Sequence, residues 1–161
     1  MNEMSVSQNE LESRYRTTLI IVIVQIVSVF ILIGTSWFLV GSLDNSVTDS
    51  AISSLWITII SLIIISFVLR RILFSRNRLK KTALENGRSG LLLALQNNTV
   101  FLCLIGEIIA IIGFLVASLG GNRFEMFRAG AVALVVFLFN FPRKAIWQRV
   151  VTNLEKLELT R

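Results

Sequence analysis

The chain has 161 residues, is 54% hydrophobic with a mean hydropathy of +0.73, and carries a formal net charge of +6. Its apolar residues gather in four blocks instead of recurring at core periodicity, which is a membrane composition and leaves no polar segment long enough to bury a core of its own. Histidine is absent and the single cysteine, Cys103, lies inside an apolar block. No intramolecular disulfide can form, and Asp44, Asp49 and Glu125 stand outside any metal-ligand or acid–base motif, so the reading is of a non-enzyme without cofactor or metal.

In chain order, the amino tail contains Ser7-Gln8-Asn9-Glu10, which fits either a capping box opening a helix into the first block or a frayed tail. Thr17 to Val40 provides 24 residues, enough to span. Glu3, Glu10 and Glu12 precede it and no small-residue cleavage site follows, so it is expected to stay as an anchor and not to act as a signal peptide. Gly41 to Ser50 is small, polar and acidic, a plain turn. Ala51 to Leu69 provides 19 residues for a second span.

The connection over 70–98 is strongly basic. Arg70 to Leu84 is expected to continue the second helix and lie basic side down on anionic head groups through Arg70, Arg71, Arg76, Arg78, Lys80 and Lys81. Asn86-Gly87 and Ser89-Gly90 then reverse the chain. Leu91 to Leu95 reads equally as an interfacial turn or as the first turns of one long helix with the third span, Thr99 to Leu119.

The fourth block, Ala129 to Phe141, has only 13 uncharged residues, a length that also fits an interfacial or re-entrant segment, and reaches spanning length, about 124–141, if Arg123 and Arg128 snorkel outward. Trp37 and Trp56 fit an aromatic belt near the outer interface. Pro142 suits the first turn of a new helix. In the tail, 142–161, Ile146, Trp147, Val150, Leu154 and Leu157 recur at three- and four-residue steps, with Arg143, Lys144, Arg149, Asn153 and Lys156 elsewhere on the wheel. Two readings of this amphipathic helix stand: a surface-lying anchor with Trp147 at the head groups, or a docking face for a cytosolic partner.

Basic residues orient the chain, because short loops rich in Lys and Arg stay in the cytosol. Fourteen of the sixteen fall on one side if all four blocks cross. The expectation is an all-α integral membrane protein: a single membrane domain over 1–161, four transmembrane helices, both termini cytosolic, and an amphipathic C-terminal helix. The basic residues lack interleaved aromatics to stack bases, so anionic lipid is the expected partner and nucleic acid is not.

Glu107 is the only charge in the third span. At the rise of an α-helix it lies roughly 13 Å deep, where an ionised carboxylate costs at least ~2.5 kcal/mol and ordinarily faces protein or a watery path. Gln25 and Ser61 lie at about the same depth and are the expected hydrogen-bond partners, with desolvation favouring a neutral carboxyl. Cys103, Gly106, Ala110, Gly113 and Ala117 form a stripe of small side chains bordering Glu107, the pattern of a close helix–helix interface in lipid.

Gly106-Glu107-Ile108-Ile109-Ala110-Ile111-Ile112-Gly113-Phe114-Leu115-Val116-Ala117 resembles the carboxylate-bearing helix of rotary ATP synthase c subunits. That resemblance maps the family's ion-binding carboxylate to Glu107. Ala51 to Leu69, however, lacks the dense glycines of the partner helix in that family, so ring assembly is not implied. The larger pattern, with an acidic third span, Gly120-Gly121-Asn122-Arg123 and a fourth span ending Phe141-Pro142-Arg143-Lys144, resembles small four-span bacterial inner-membrane proteins, which implies the inner membrane as location. The function expected is non-catalytic: a homo-oligomer, or an accessory subunit of a larger membrane complex, associating through the Gly106 stripe. The alternatives are a proton- or cation-coupled channel or transporter using Glu107, and a holin-like pore former.

Overall fold

The computed structural model describes residues 2–40 and 49–158, with side-chain surroundings for 8–40 and 49–153. Five helices follow in order: α1 (Asn2–Leu39), α2 (Asp49–Leu73), α3 (Arg76–Gly120), α4 (Arg123–Asn140) and α5 (Lys144–Glu158), with no strand among the described residues. Four of them contain stretches long and apolar enough to cross a membrane. The turn expected over Gly41 to Ser50 falls mostly outside the described residues.

α3 is the axis of the bundle. It packs against α1, α2 and α4, while α4 also packs against α1. The buried face of α1 is a stripe at helical spacing, Thr18, Val22, Gln25, Val29 and Ser36. α2 is more peripheral and buries only Ile59, Ser66 and Leu73. The turn from α3 to α4 is tight because Gly121 closes α3 in the left-handed conformation (φ 63°) and Asn122 caps α4, its side chain accepting from the Phe124 amide at 3.0 Å.

α1 and α3 are longer than a bilayer is thick. The 38 residues of α1 reach about 57 Å at 1.5 Å per residue, against ~30 Å of hydrocarbon. Their excess lengths meet α5 at one end of the bundle. There Leu11, Leu79, Ala83, Leu91, Leu92, Leu95, Trp147 and Val151 bury one another, with Tyr15, Phe74 and Val150 packed alongside. No single polar segment is long enough for this core; three segments far apart in sequence share it.

This second core corrects several expectations. Trp147 is not at a lipid surface: it is 2% exposed and meets Tyr15 edge to face at 5.9 Å. Tyr15 Oη donates to the Pro142 carbonyl at 3.3 Å, and Lys144 pairs with Glu12 at 3.1 Å, so α5 is fastened to the start of α1. α1 is already helical from Asn2, which places Ser7 to Glu10 inside the helix and not at a cap. α2 does not continue to Leu84. It ends at Leu73, Ser75 is extended (ψ 138°), and Asn98 Nδ2 donates to the freed Leu73 carbonyl at 3.2 Å.

The chain bends once more at Gly87, where φ 63° and ψ −165° define a conformation essentially restricted to glycine. The bend is sharp enough that the Asn86 side chain occupies the space a side chain on residue 90 would need, so Gly90 is required as well. From Arg88 onward the helix is continuous to Gly120. Leu91 to Leu95 is therefore continuous with the helix of the third span and not a separate turn, and Leu91, Leu92 and Leu95 are buried in the second core.

Candidate functional site

Glu107 projects from α3 toward α1 and is half-buried. Its partner is Ser28, whose Oγ lies 3.0 Å from Glu107 Oε1 and 2.8 Å from the Gln25 carbonyl. A serine hydroxyl has one hydrogen, so it serves one of these acceptors at a time. With Glu107 ionised the hydroxyl turns to the carboxylate. With Glu107 protonated it can turn back to Gln25 and accept from the carboxyl. Gln25 itself is 8% exposed, and its Oε1 is buried without a hydrogen-bond partner, an orphan acceptor of the kind that calls for a water or a protonated donor. Further along the same face of α1, Ser36 is 1% exposed and its Oγ is likewise unpartnered.

Ser61 does not join this group. It is exposed on the outside of α2, bonded to its own Ile57 carbonyl at 2.9 Å. Matching residues by depth ignored rotation about the helix: Ile59 and Ser66 mark the face of α2 that meets the bundle, and Ser61 lies off it. Ser28 was missed, although its place three residues after Gln25 puts both on one face of α1.

The small-residue stripe is buried throughout: Cys103, Gly106, Ala110, Gly113 and Ala117 all lie inside the bundle. Its partner is α4 of the same chain. A Cβ on Gly106 would stand 3.0 Å from the Phe137 ring, and one on Gly113 would overlap the Ala129 methyl. α4 answers with its own small residues, Ala129, Gly130 and Ala133, and Ile33 of α1 fills the notch at Gly130. The helix–helix seam expected at Gly106 is thus a contact within the chain, and α4 occupies that surface.

A second polar cluster joins α2 to α4. Asn140, the last residue of α4, is 6% exposed; its Nδ2 donates to Ser66 Oγ at 3.2 Å and its Oδ1 accepts from Arg70 at 3.3 Å. The Arg70 guanidinium lies over the Phe139 ring, 4.2 Å from its centre. Arg71, Arg76, Arg78, Lys80, Lys81, Arg143 and Arg149 are exposed. At the opposite end of the bundle Trp56 Nε1 donates to Glu125 at 3.0 Å, Glu125 pairs with Arg128 at 2.8 Å, and Arg123 covers the Trp37 ring at 4.7 Å. Both tryptophans expected in an aromatic belt thus hold the first turn of α4.

Comparison with known proteins finds no match: no protein-family model fits the chain, and no curated protein or solved structure is similar to it.

Proposed function

We propose that this chain is a non-catalytic, multi-pass protein of a bacterial inner membrane that works by associating with other membrane helices, as an oligomer or as an accessory subunit. The basic end, with the starts of α1 and α3 and with α5, lies in the cytosol on the argument that positive loops are retained there. One observation carries the association reading. Ser50, Ser54, Thr58 and Ser61 form an exposed ridge of small hydroxyl residues along α2, the helix least covered by the rest of the bundle. The hydroxyls of Ser54, Thr58 and Ser61 are occupied by their own helix, at 2.9 to 3.0 Å. Such a ridge lets a second helix approach closely in lipid, where packing and not the hydrophobic effect drives association.

The test is the mass of the protein in nanodiscs, alone and after gentle extraction with its neighbours. Thr58→Leu with Ser61→Leu should release subunits or partners while leaving the chain folded. A wild-type protein that is monomeric and partner-free would overturn the reading.

A second reading is favoured by the orphan Gln25 Oε1. Glu107 carries a proton into this site and Ser28 switches its hydrogen bond as the proton comes and goes, giving a proton- or cation-coupled function. Glu107→Gln keeps the shape and cannot ionise. Proton flux into proteoliposomes that is unchanged by the substitution, or absent in both proteins, removes this reading.

A further inference from the structure

We infer that the groove between α2 and α4 is a binding site for one anionic phospholipid, with an acyl chain between the helices and the phosphate at Arg70, Arg71 and Arg143. α2 and α4 leave an apolar cleft of about 210 Å³, lined by Ile63, Phe67, Val132, Val135 and Phe139. Water does not stably fill an apolar space of this kind, because it finds too few polar partners there. An acyl chain from the surrounding bilayer does.

Ser66 and Asn140 supply the polar part of the cleft's lining. Asn140 also borders the next cavity, about 150 Å³, together with Arg70, Arg143 and Pro142; Arg70 and Arg71 border a third, more open one with Phe67, Phe74 and Phe139. Phe139, Phe67 and Asn140 line more than one of these spaces, so the apolar cleft and the arginine-lined cavities adjoin one another.

Charge says which lipid. No carboxylate lines any of the three cavities, and none of the three arginines makes an ion pair among the described residues. Arg70 is held in place by Asn140 Oδ1 and the Phe139 ring, which engage one of its donors and one of its faces and leave most of the guanidinium fork for a ligand. A preset arginine flanked by two exposed ones, next to an acyl slot at the basic end of the bundle, matches a phosphodiester attached to a hydrocarbon chain.

The experiment is native mass spectrometry of the full chain released from nanodiscs that hold equal amounts of phosphatidylglycerol and phosphatidylcholine. Wild type should retain one phosphatidylglycerol in preference to phosphatidylcholine by about tenfold or more, the effect expected when two or three basic residues meet one anionic head group. Arg71→Gln with Arg143→Gln, both at exposed positions outside the packed core, should remove most of that preference. Val135→Trp, on the lipid-facing side of the cleft, should lower retention with the three arginines intact. Soluble glycerol phosphate at millimolar concentration should not displace the lipid, because it lacks the chain. Equal retention of the two lipids, an unchanged preference in the double variant, full retention in Val135→Trp, or displacement by glycerol phosphate would each overturn the assignment.

Discussion

Among the described residues the apolar bundle and the layer at the basic end bury their side chains differently, and α1 and α3 run through both. In the apolar bundle, α3 and α4 meet through Gly106, Gly113, Ala129 and Ala133, and outward positions such as Val24, Phe30, Ile64 and Leu138 are large and apolar. In the layer at the basic end the pattern inverts: Leu91, Leu92, Leu95 and Trp147 are inside, while Arg76, Arg78, Lys80 and Arg149 are outside. The difference follows from the solvent. Apolar side chains gain little by leaving lipid for a protein interior, so close backbone approach decides the bundle; apolar side chains leaving water gain from burial itself. Helix α3 changes from one regime to the other along its length.

Four substitutions test this contrast, from the largest effect to the smallest. Trp147→Ala should cost about 3 to 5 kcal/mol of the layer's stability, since it empties a site that is buried in a water-facing core. The check is protease sensitivity of α5 together with thermal unfolding; equal stability would mean that α5 is not docked. Gly113→Leu should cost about 1 to 3 kcal/mol or more through overpacking against Ala129, and should loosen α4 without releasing α5. Loss of α5 protection in that variant would show the two cores to be one cooperative unit.

Asn140→Leu removes the bonds to Ser66 and Arg70, and interhelical bonds of this type are worth roughly 0.6 to 1.7 kcal/mol. Thermal unfolding in a fixed detergent measures it, and a cost far above that range would mark Asn140 as a keystone of α2 docking. Lys144→Ala breaks an ion pair with Glu12 between two largely solvent-facing side chains and should change stability by about 0.2 to 1 kcal/mol, less at high salt. A larger, salt-insensitive loss would mean that this pair and not Trp147 holds α5.

Helical content and the apolar spans were legible because they depend on local sequence: block length, helical spacing, and turn residues such as Asn86 and Gly87, where the chain does bend. The existence of a close-packed stripe at Gly106 was legible too, for the same reason. What occupied it was not, because small side chains invite any helix, and α4's answering Ala129, Gly130 and Ala133 become a partner only once Gly121 folds α4 back along α3. Ser61 failed for a related reason. Depth follows from counting residues, but rotation about the helix axis is set by packing, and it turned Ser61 outward while bringing Ser28 to Glu107.

Sequence alone determined that this is a helical chain with four stretches able to cross a membrane, a basic end, and a single charge deep in the third span. Those properties are sums over neighbouring residues. Tertiary structure alone decided that Trp147 is buried, that the Gly106 stripe is internal, that Ser28 serves Glu107, and that Asn140 binds Arg70. Each of these joins residues on different helices, and no local preference encodes which faces of two helices will meet.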